Sequence, residues 1–167
     1  GTITLESEYG VGTTFVIRVP FKIDLDADKR EEQKDISEKS IKGLHILLAE
    51  DNELNMEIAE FMLQNEGAEV TKAWNGQEAV ELFRKSKPGE FDVILMDIMM
   101  PVMNGYEATK MIRSLDREDA KKIPIIAMTA NAFTEDRIRA KEAGMNEHIA
   151  KPADAKLLVK VIHKFVD

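Results

Sequence analysis

Asp97 closes the apolar run Phe91-Asp92-Val93-Ile94-Leu95-Met96 and stands just before Ile98-Met99-Met100-Pro101. The acidic pair Glu50-Asp51 closes an earlier run, Leu44-His45-Ile46-Leu47-Leu48-Ala49, and Lys151-Pro152 follows a last short one. Three carboxylates and a lysine, each at the C-terminal end of an expected strand, converge where an open parallel sheet binds ligands. Crowded carboxylates repel one another and need a cation, and their hard oxygens suit magnesium, which keeps several of its waters. An aspartate in such a place can attack a phosphoryl group and form an acyl phosphate. That transfer asks the protein for in-line positioning and for neutralised charge on the moving oxygens. The expected division makes Asp51 and Asp97 direct ligands, with Glu50 acting through water. Thr129, in Met128-Thr129-Ala130, offers a hydroxyl to a phosphoryl oxygen, and Lys151 pairs with Asp97 when the acceptor is free and with the phosphoryl group when it is loaded. Each residue has a plainer use when taken alone. Asp97 could be a surface turn residue, Glu50-Asp51 a favourable charge at a helix start, Thr129 a helix cap and Lys151 a solvated surface group. Their joint order along the chain favours the chemistry.

The elements that must position these groups alternate. Strands are predicted near 44–49, 68–73, 91–96, 125–128 and 147–150. Helices are predicted near 54–66, 76–86, from Gly105 onward, from Thr134 as a cap to Gly144, and near 154–166. In the first helix Leu54, Ile58, Phe61 and Met62 share one face, and Gly67 is a plausible stop. Asn75-Gly76 and Pro88-Gly89 bound the second helix. Alternating βα units imply right-handed crossovers and helices on both faces of the sheet. The fold class is therefore α/β, a doubly wound five-stranded parallel sheet of flavodoxin-like order 2-1-3-4-5. In that order strands 1 and 3 are neighbours, so topology alone brings Glu50, Asp51 and Asp97 together.

Residues 1–21 read as a β-hairpin appendage: Ile3 and Leu5 alternate with polar residues, Glu8-Tyr9-Gly10-Val11-Gly12 turns, and Phe15, Ile17 and Val19 alternate again before Pro20. Gly10 and Gly12 lie between two strands, not before a helix, so they make no phosphate cradle. Residues 22–42 are a charged linker with few apolar anchors, and residues 43–167 are the main domain. The net charge of −8 disfavours nucleic-acid binding, since no basic stripe appears. The absence of cysteine removes disulfides and thiolate zinc sites. No apolar stretch is long enough to span a bilayer and no secretory signal is visible, so a cytoplasmic location is expected. The chain starts at Gly1, without methionine, and reads as a fragment whose parent could carry a membrane anchor upstream.

Five pieces now carry a family resemblance: Glu50-Asp51-Asn52, Met96-Asp97-Ile98-Met99-Met100-Pro101, Gly105, Met128-Thr129-Ala130 and Lys151-Pro152. In their order and spacing, residues 43–167 resemble the receiver domain of two-component response regulators. The resemblance implies that Asp97 is the phosphoacceptor and that Glu50 and Asp51 belong to a Mg2+ cluster. It further implies that Met99 lends its backbone carbonyl to the metal, and that Thr129 and Lys151 read the phosphoryl group. Asn52-Glu53-Leu54-Asn55 and the Met-rich loop look like receivers of hybrid histidine kinases. Gly1–Glu8 with Gly10–Phe15 and Val19-Pro20 resembles the last hairpin of a histidine-kinase ATP-binding domain. The implied partners are a histidine kinase core as phosphodonor and a histidine phosphotransfer protein as recipient, within a phosphorelay. Thr129 would move toward the phosphoryl group and remodel the loop 129–134.

Two departures from the family pattern matter. Where receivers carry Phe or Tyr three residues before the lysine, this chain has His148. It is expected to be a half-exposed ring of similar shape in the switch position, with a pH-sensitive switch as the sharper reading. Met99, two residues beyond Asp97, cannot orient a water strongly, so self-dephosphorylation should be slow, with Asn131 the only polar helper. His45 and His163 look structural. A magnesium-dependent phosphatase with an aspartate nucleophile would need a second catalytic aspartate, and Met99 occupies the nearby slot. A pseudo-receiver acting only as a binding module is opposed by the presence of all five site residues. A two-stranded hairpin is marginal alone. Disorder, docking on its own receiver, or pairing with another chain are all open to it, and a homodimer or domain exchange follows from the last.

Overall fold

The computed structural model describes residues 1–20, 40–129, 134–151 and 154–166. The chain divides into two compact units between residues 38 and 39. In the first, β1 (Thr2–Glu8) and β2 (Gly12–Arg18) pair antiparallel, with Ile3 opposite Ile17 and Leu5 opposite Phe15. The apolar residues therefore share one side of the hairpin, as their alternation requires.

The second unit holds β3 (His45–Ala49), α1 (Glu53–Asn65), β4 (Glu69–Ala73), α2 (Gly76–Lys85), β5 (Val93–Asp97), α3 (Gly105–Ser114) and α4 (Glu118–Lys122). These are followed by β6 (Ile125–Thr129), α5 (Thr134–Ala143), β7 (Glu147–Ala150) and α6 (Ala155–Val166). The strand order is β4-β3-β5-β6-β7, all parallel, which is the expected 2-1-3-4-5 order. The central strands are apolar on both faces because helices cover both. Leu47, Ile94, Met96 and Ile125 join the core under α2 and α3. Ile46, Leu48, Leu95 and Ile126 join the core under α1 and α6.

Three helices start from the same device. Asn52, Asn75 and Asn104 accept hydrogen bonds from the backbone N–H groups of Asn55, Glu78 and Glu107 at 3.1, 2.9 and 2.9 Å. Asparagine oxygens thus satisfy N–H donors that a helix start leaves open.

The structure departs from the sequence expectations in four places. Strand β5 is Val93–Asp97; Asp92 lies just before it, its N–H donating to His45 O at 2.9 Å while its carboxylate, in place of a main-chain oxygen, accepts the His45 N–H at 2.7 Å. The short α4 was not anticipated. Ile41 is fully buried in the α1–α6 core, so packed structure begins before Gly43. Finally, most of the apolar face predicted for α1 points outward: Leu54, Ile58 and Phe61 are exposed by 64, 45 and 71%, whereas Met62 packs partly buried against the core beside the buried Met56 and Leu63. This helix carries two apolar stripes at helical spacing, and only the neighbouring sheet selects which one is covered. The Pro152, Asn131 and Thr134 side-chain expectations, most of the linker and the 130–133 loop lie outside the described residues.

Candidate functional site

The site is set by the ends of adjacent parallel strands. Ala49 is in register with Met96, Asp97 with Met128, and Thr129 with Ala150. Glu50, Asp97, Thr129 and Lys151 therefore emerge on one edge. The Glu50 N–H donates to Ala73 O at 3.0 Å and the Lys151 N–H to Thr129 O at 2.7 Å, fixing where both side chains leave the main chain.

Sheet topology brings the three carboxylates together. One oxygen from each of Glu50, Asp51 and Asp97 lies within 4.8 Å of the others. Glu50 and Asp97 are buried and Asp51 is exposed. The Lys151 ammonium donates to Asp97 Oδ2 at 2.6 Å and also to Glu50 Oε2. Pairing with Asp97 was expected, whereas the bridge to Glu50 was not. Asp97 Oδ1 accepts the Met99 N–H at 3.2 Å, which ties the Met99 main chain to the acceptor. Burial pushes the Asp97 carboxyl above the ordinary aspartate range; Lys151 pulls against this, and Glu50 pushes further in the same direction as burial. A carboxylate so placed is poorly solvated and held in one orientation.

The donor set fits magnesium. All ligand candidates are oxygens, as a hard cation requires. With every group ionised, three carboxylates against one ammonium leave a formal charge of −2, which a divalent ion would neutralise. Lys151 already holds a positive charge between two of the three carboxylates.

The loop after Asp97 is closely confined. Gly105 N–H donates to Ile98 O at 2.9 Å, Gly76 N–H to Met103 O at 3.0 Å and Met103 N–H to Pro101 O at 2.7 Å. A Cβ on Gly105 would stand 2.2 Å from Asp97 O, so only glycine lets α3 start against the acceptor's own carbonyl. Val102 in this loop has φ 67°, a strained conformation for a β-branched residue. Met99 and Val102 are both well exposed.

Thr129 is buried at the end of β6. His148 is half-buried on β7, beside Ala127 in register, and its Nδ1 lies 3.3 Å from Glu147 Oε1. Glu147 is held below the usual carboxylate range, chiefly by Lys164 at 2.7 Å. His45 pairs with Glu69 at 2.5 Å, at the opposite end of the strands from the carboxylate cluster. Sequence reasoning missed the role of Asn55, whose Nδ2 donates to Glu50 Oε1 at 3.1 Å. The Asn52-x-x-Asn55 spacing was visible, but nothing local says that a helix side chain reaches back to a buried carboxylate.

Residues 46–163 match the family model described as the response regulator receiver domain. The chain is 34% identical over 168 residues to the aerobic respiration control sensor protein ArcB of Escherichia coli, an alignment covering all of this chain and 21% of that protein. The chain spans about a fifth or less of the length of the curated relatives it matches first. Among solved structures, it is similar to the receiver domain of a sensor histidine kinase from Pseudomonas aeruginosa, solved with magnesium coordinated in the active-site cleft. That likeness has 40% identity, 74% of this chain, 98% of the other and a TM-score of 0.67. It is also similar to a structure of the Saccharomyces cerevisiae phosphotransfer protein Ypd1 with the receiver domain of the response regulator Ssk1, at 30% identity, 75% and 90% coverage and a TM-score of 0.67.

Proposed function

Because this chain belongs to the response regulator receiver domain family, we propose that Asp97 accepts a phosphoryl group from a kinase phosphohistidine and passes it to a histidine phosphotransfer protein. The observation that carries this is the buried Asp97 carboxylate, held by Lys151 and the Met99 N–H beside two further carboxylates. A carboxylate oxygen of Asp97 forms the new P–O bond as the donor's P–N bond breaks, and the imidazole leaves with the bonding pair and takes a proton. Asp51, Asp97 and the Met99 carbonyl, with Glu50 through water, would hold Mg2+, which supplies positive charge at the transferring oxygens. Lys151 leaves Asp97 for a phosphoryl oxygen, and Thr129 hydrogen-bonds another. The added charge then shifts the population between two arrangements of the loop after β6.

The exposed ridge Leu54, Ile58 and Phe61 supports a helical partner docking beside the acceptor, because exposed apolar stripes of this kind mark interaction sites. Similarity to a receiver solved with a phosphotransfer protein supports the same partner class. The ArcB alignment runs through residues 1–42, in keeping with the hairpin as the last strands of a kinase ATP-binding domain and 22–42 as the linker of a hybrid histidine kinase. Such a domain works in the cytoplasm, where the kinase meets ATP. Among the described residues β1 and β2 pair only with each other, and their outer strand edges offer a surface through which copies of the chain pair.

Intact mass after incubation with magnesium and acetyl phosphate tests the acceptor. One phosphoryl addition that needs magnesium and is lost in Asp97→Asn is the expected result. No addition to folded protein would indicate a pseudo-receiver, and steady turnover of a generic phosphate ester would indicate a phosphatase.

A further inference from the structure

Glu50 enters the site in an unusual state of restraint. It is a buried carboxylate, 1% exposed, and its two oxygens have different partners. Oε2 faces Lys151 on the side of Asp97. Oε1 faces away, toward the first turn of α1, where it accepts the Asn52 N–H at 3.3 Å and the Asn55 amide at 3.1 Å. The Asn55 contact is nearer the ordinary hydrogen-bond length, and it is made by a side chain that is itself exposed. We infer that Asn55 is a positioning residue for the metal cluster, a clamp that fixes the Glu50 carboxylate so that it presents a single oxygen to Asp97, Lys151 and the cation. This rests on the reading of Glu50, Asp51 and Asp97 as a magnesium cluster.

Three features argue for a clamp rather than a fold contact. The helix cap does not need the Asn55 side chain, because Asn52 Oδ1 accepts the Asn55 backbone N–H. Alanine is a better helix former than asparagine, so truncation costs α1 nothing intrinsic. There is also room for Glu50 to move if released. A cleft of about 100 Å3 is lined by the polar Glu50, Asn55 and Lys151 together with the apolar Ile58, Met62 and Leu158. Glutamate has one more rotatable bond than aspartate, so a cluster that uses Glu50 gains reach and loses rigidity. The amide at Asn55 restores the rigidity without adding a fourth negative charge. Partners that orient metal-site carboxylates in this way commonly change metal affinity 10- to 100-fold when removed.

The test is a calorimetric titration of magnesium chloride into the 167-residue chain as wild type, Asn55→Ala, Asn55→Gln and Asp51→Asn, with thermal midpoints measured in chelator. The expected result is magnesium binding to wild type and its loss in Asp51→Asn. Asn55→Ala should weaken binding by roughly 10- to 100-fold at an unchanged chelator midpoint, and Asn55→Gln, which keeps an amide donor, should recover part of it. Equal affinity in wild type and Asn55→Ala, with Asp51→Asn still impaired, overturns the clamp and leaves the magnesium cluster standing. A lowered midpoint with unchanged affinity overturns it in favour of a structural role. No binding by wild type removes the cluster, and the clamp with it.

Discussion

Gly105 opens α3 and Gly89 lies in a turn, and alanine should cost stability at both but slow the chemistry only at Gly105. At Gly105 the new Cβ would lie 2.2 Å from Asp97 O, 3.0 Å from Met96 Cγ and 3.1 Å from the Asp97 carbonyl carbon. An ordinary carbon–oxygen contact is about 3.3 Å, so α3 must retreat from the β5 end by about 1 Å, and overpacking of this kind costs about 1–3 kcal/mol. The atom it pushes on belongs to the acceptor residue. A displacement of about 1 Å at reacting groups can cost about 100-fold in rate. At Gly89 nothing lies within 4 Å of the new Cβ, but φ is +76°. Alanine there meets only the left-handed penalty, about 1–2 kcal/mol, far from the carboxylates. The assay pairs thermal unfolding with the rate of magnesium-dependent phosphoryl addition from acetyl phosphate, read by intact mass. Gly89→Ala should lower stability and keep the rate per folded molecule. Gly105→Ala should lower stability by a comparable amount and also slow the reaction by one to two orders of magnitude. Equal rates in the two variants would refute the claim that close approach of α3 to the Asp97 carbonyl positions the acceptor.

Asp97→Asn should stabilise the magnesium-free protein by about 1 kcal/mol, or about 3 °C in midpoint, by removing a poorly solvated charge. Because burial raises the folded pKa of Asp97, its share of stability is full below the unfolded aspartate range and is lost as pH rises through the folded value. The gain in Asp97→Asn should therefore grow with rising pH across that interval, and a gain independent of pH would count against the burial argument. Arg117 donates to the carbonyls of Phe83, Ser86 and Lys87, stacks on the Phe83 ring and pairs with Asp119 at 2.6 Å. Arg117→Ala should cost about 3 kcal/mol in urea unfolding. Arg117 holds Asp119 down to about 2. That stability is present above the unfolded aspartate value and is lost as pH falls from about 4 toward 2; it is worth about 1 kcal/mol after allowance for solvent screening. The variant should lose this acid-side slope. Met99→Asn should shorten the lifetime of the aspartyl phosphate, measured by mass after the donor is removed, because an amide can orient a water and a thioether cannot; an unchanged lifetime would show that this position does not govern hydrolysis.

Much of this protein was legible in one dimension because the relevant signals are local. Apolar runs such as Ile46–Ala49 and Val93–Met96, buried on both faces, announce central strands of a parallel sheet. Gly67, Asn75-Gly76 and Pro88-Gly89 mark where helices stop or begin, and the βα alternation dictates a topology in which strands 1 and 3 are neighbours. That adjacency was enough to predict that Glu50, Asp51 and Asp97 meet. Tertiary structure alone decided the rest. Alpha-1 has two apolar stripes of equal periodicity, and contact with the sheet buried Met56 and Leu63 while leaving Leu54, Ile58 and Phe61 outside. Lys151 could be placed at the strand edge from sequence, but its bridge to Glu50 depends on two strand ends separated by β5 and β6. The Asn55 clamp required a helix turn to face back over the carboxylates. Periodicity and strand-end chemistry are properties of neighbours along the chain, whereas a choice between equivalent faces, or a hydrogen bond spanning 101 positions, exists only once the chain has packed.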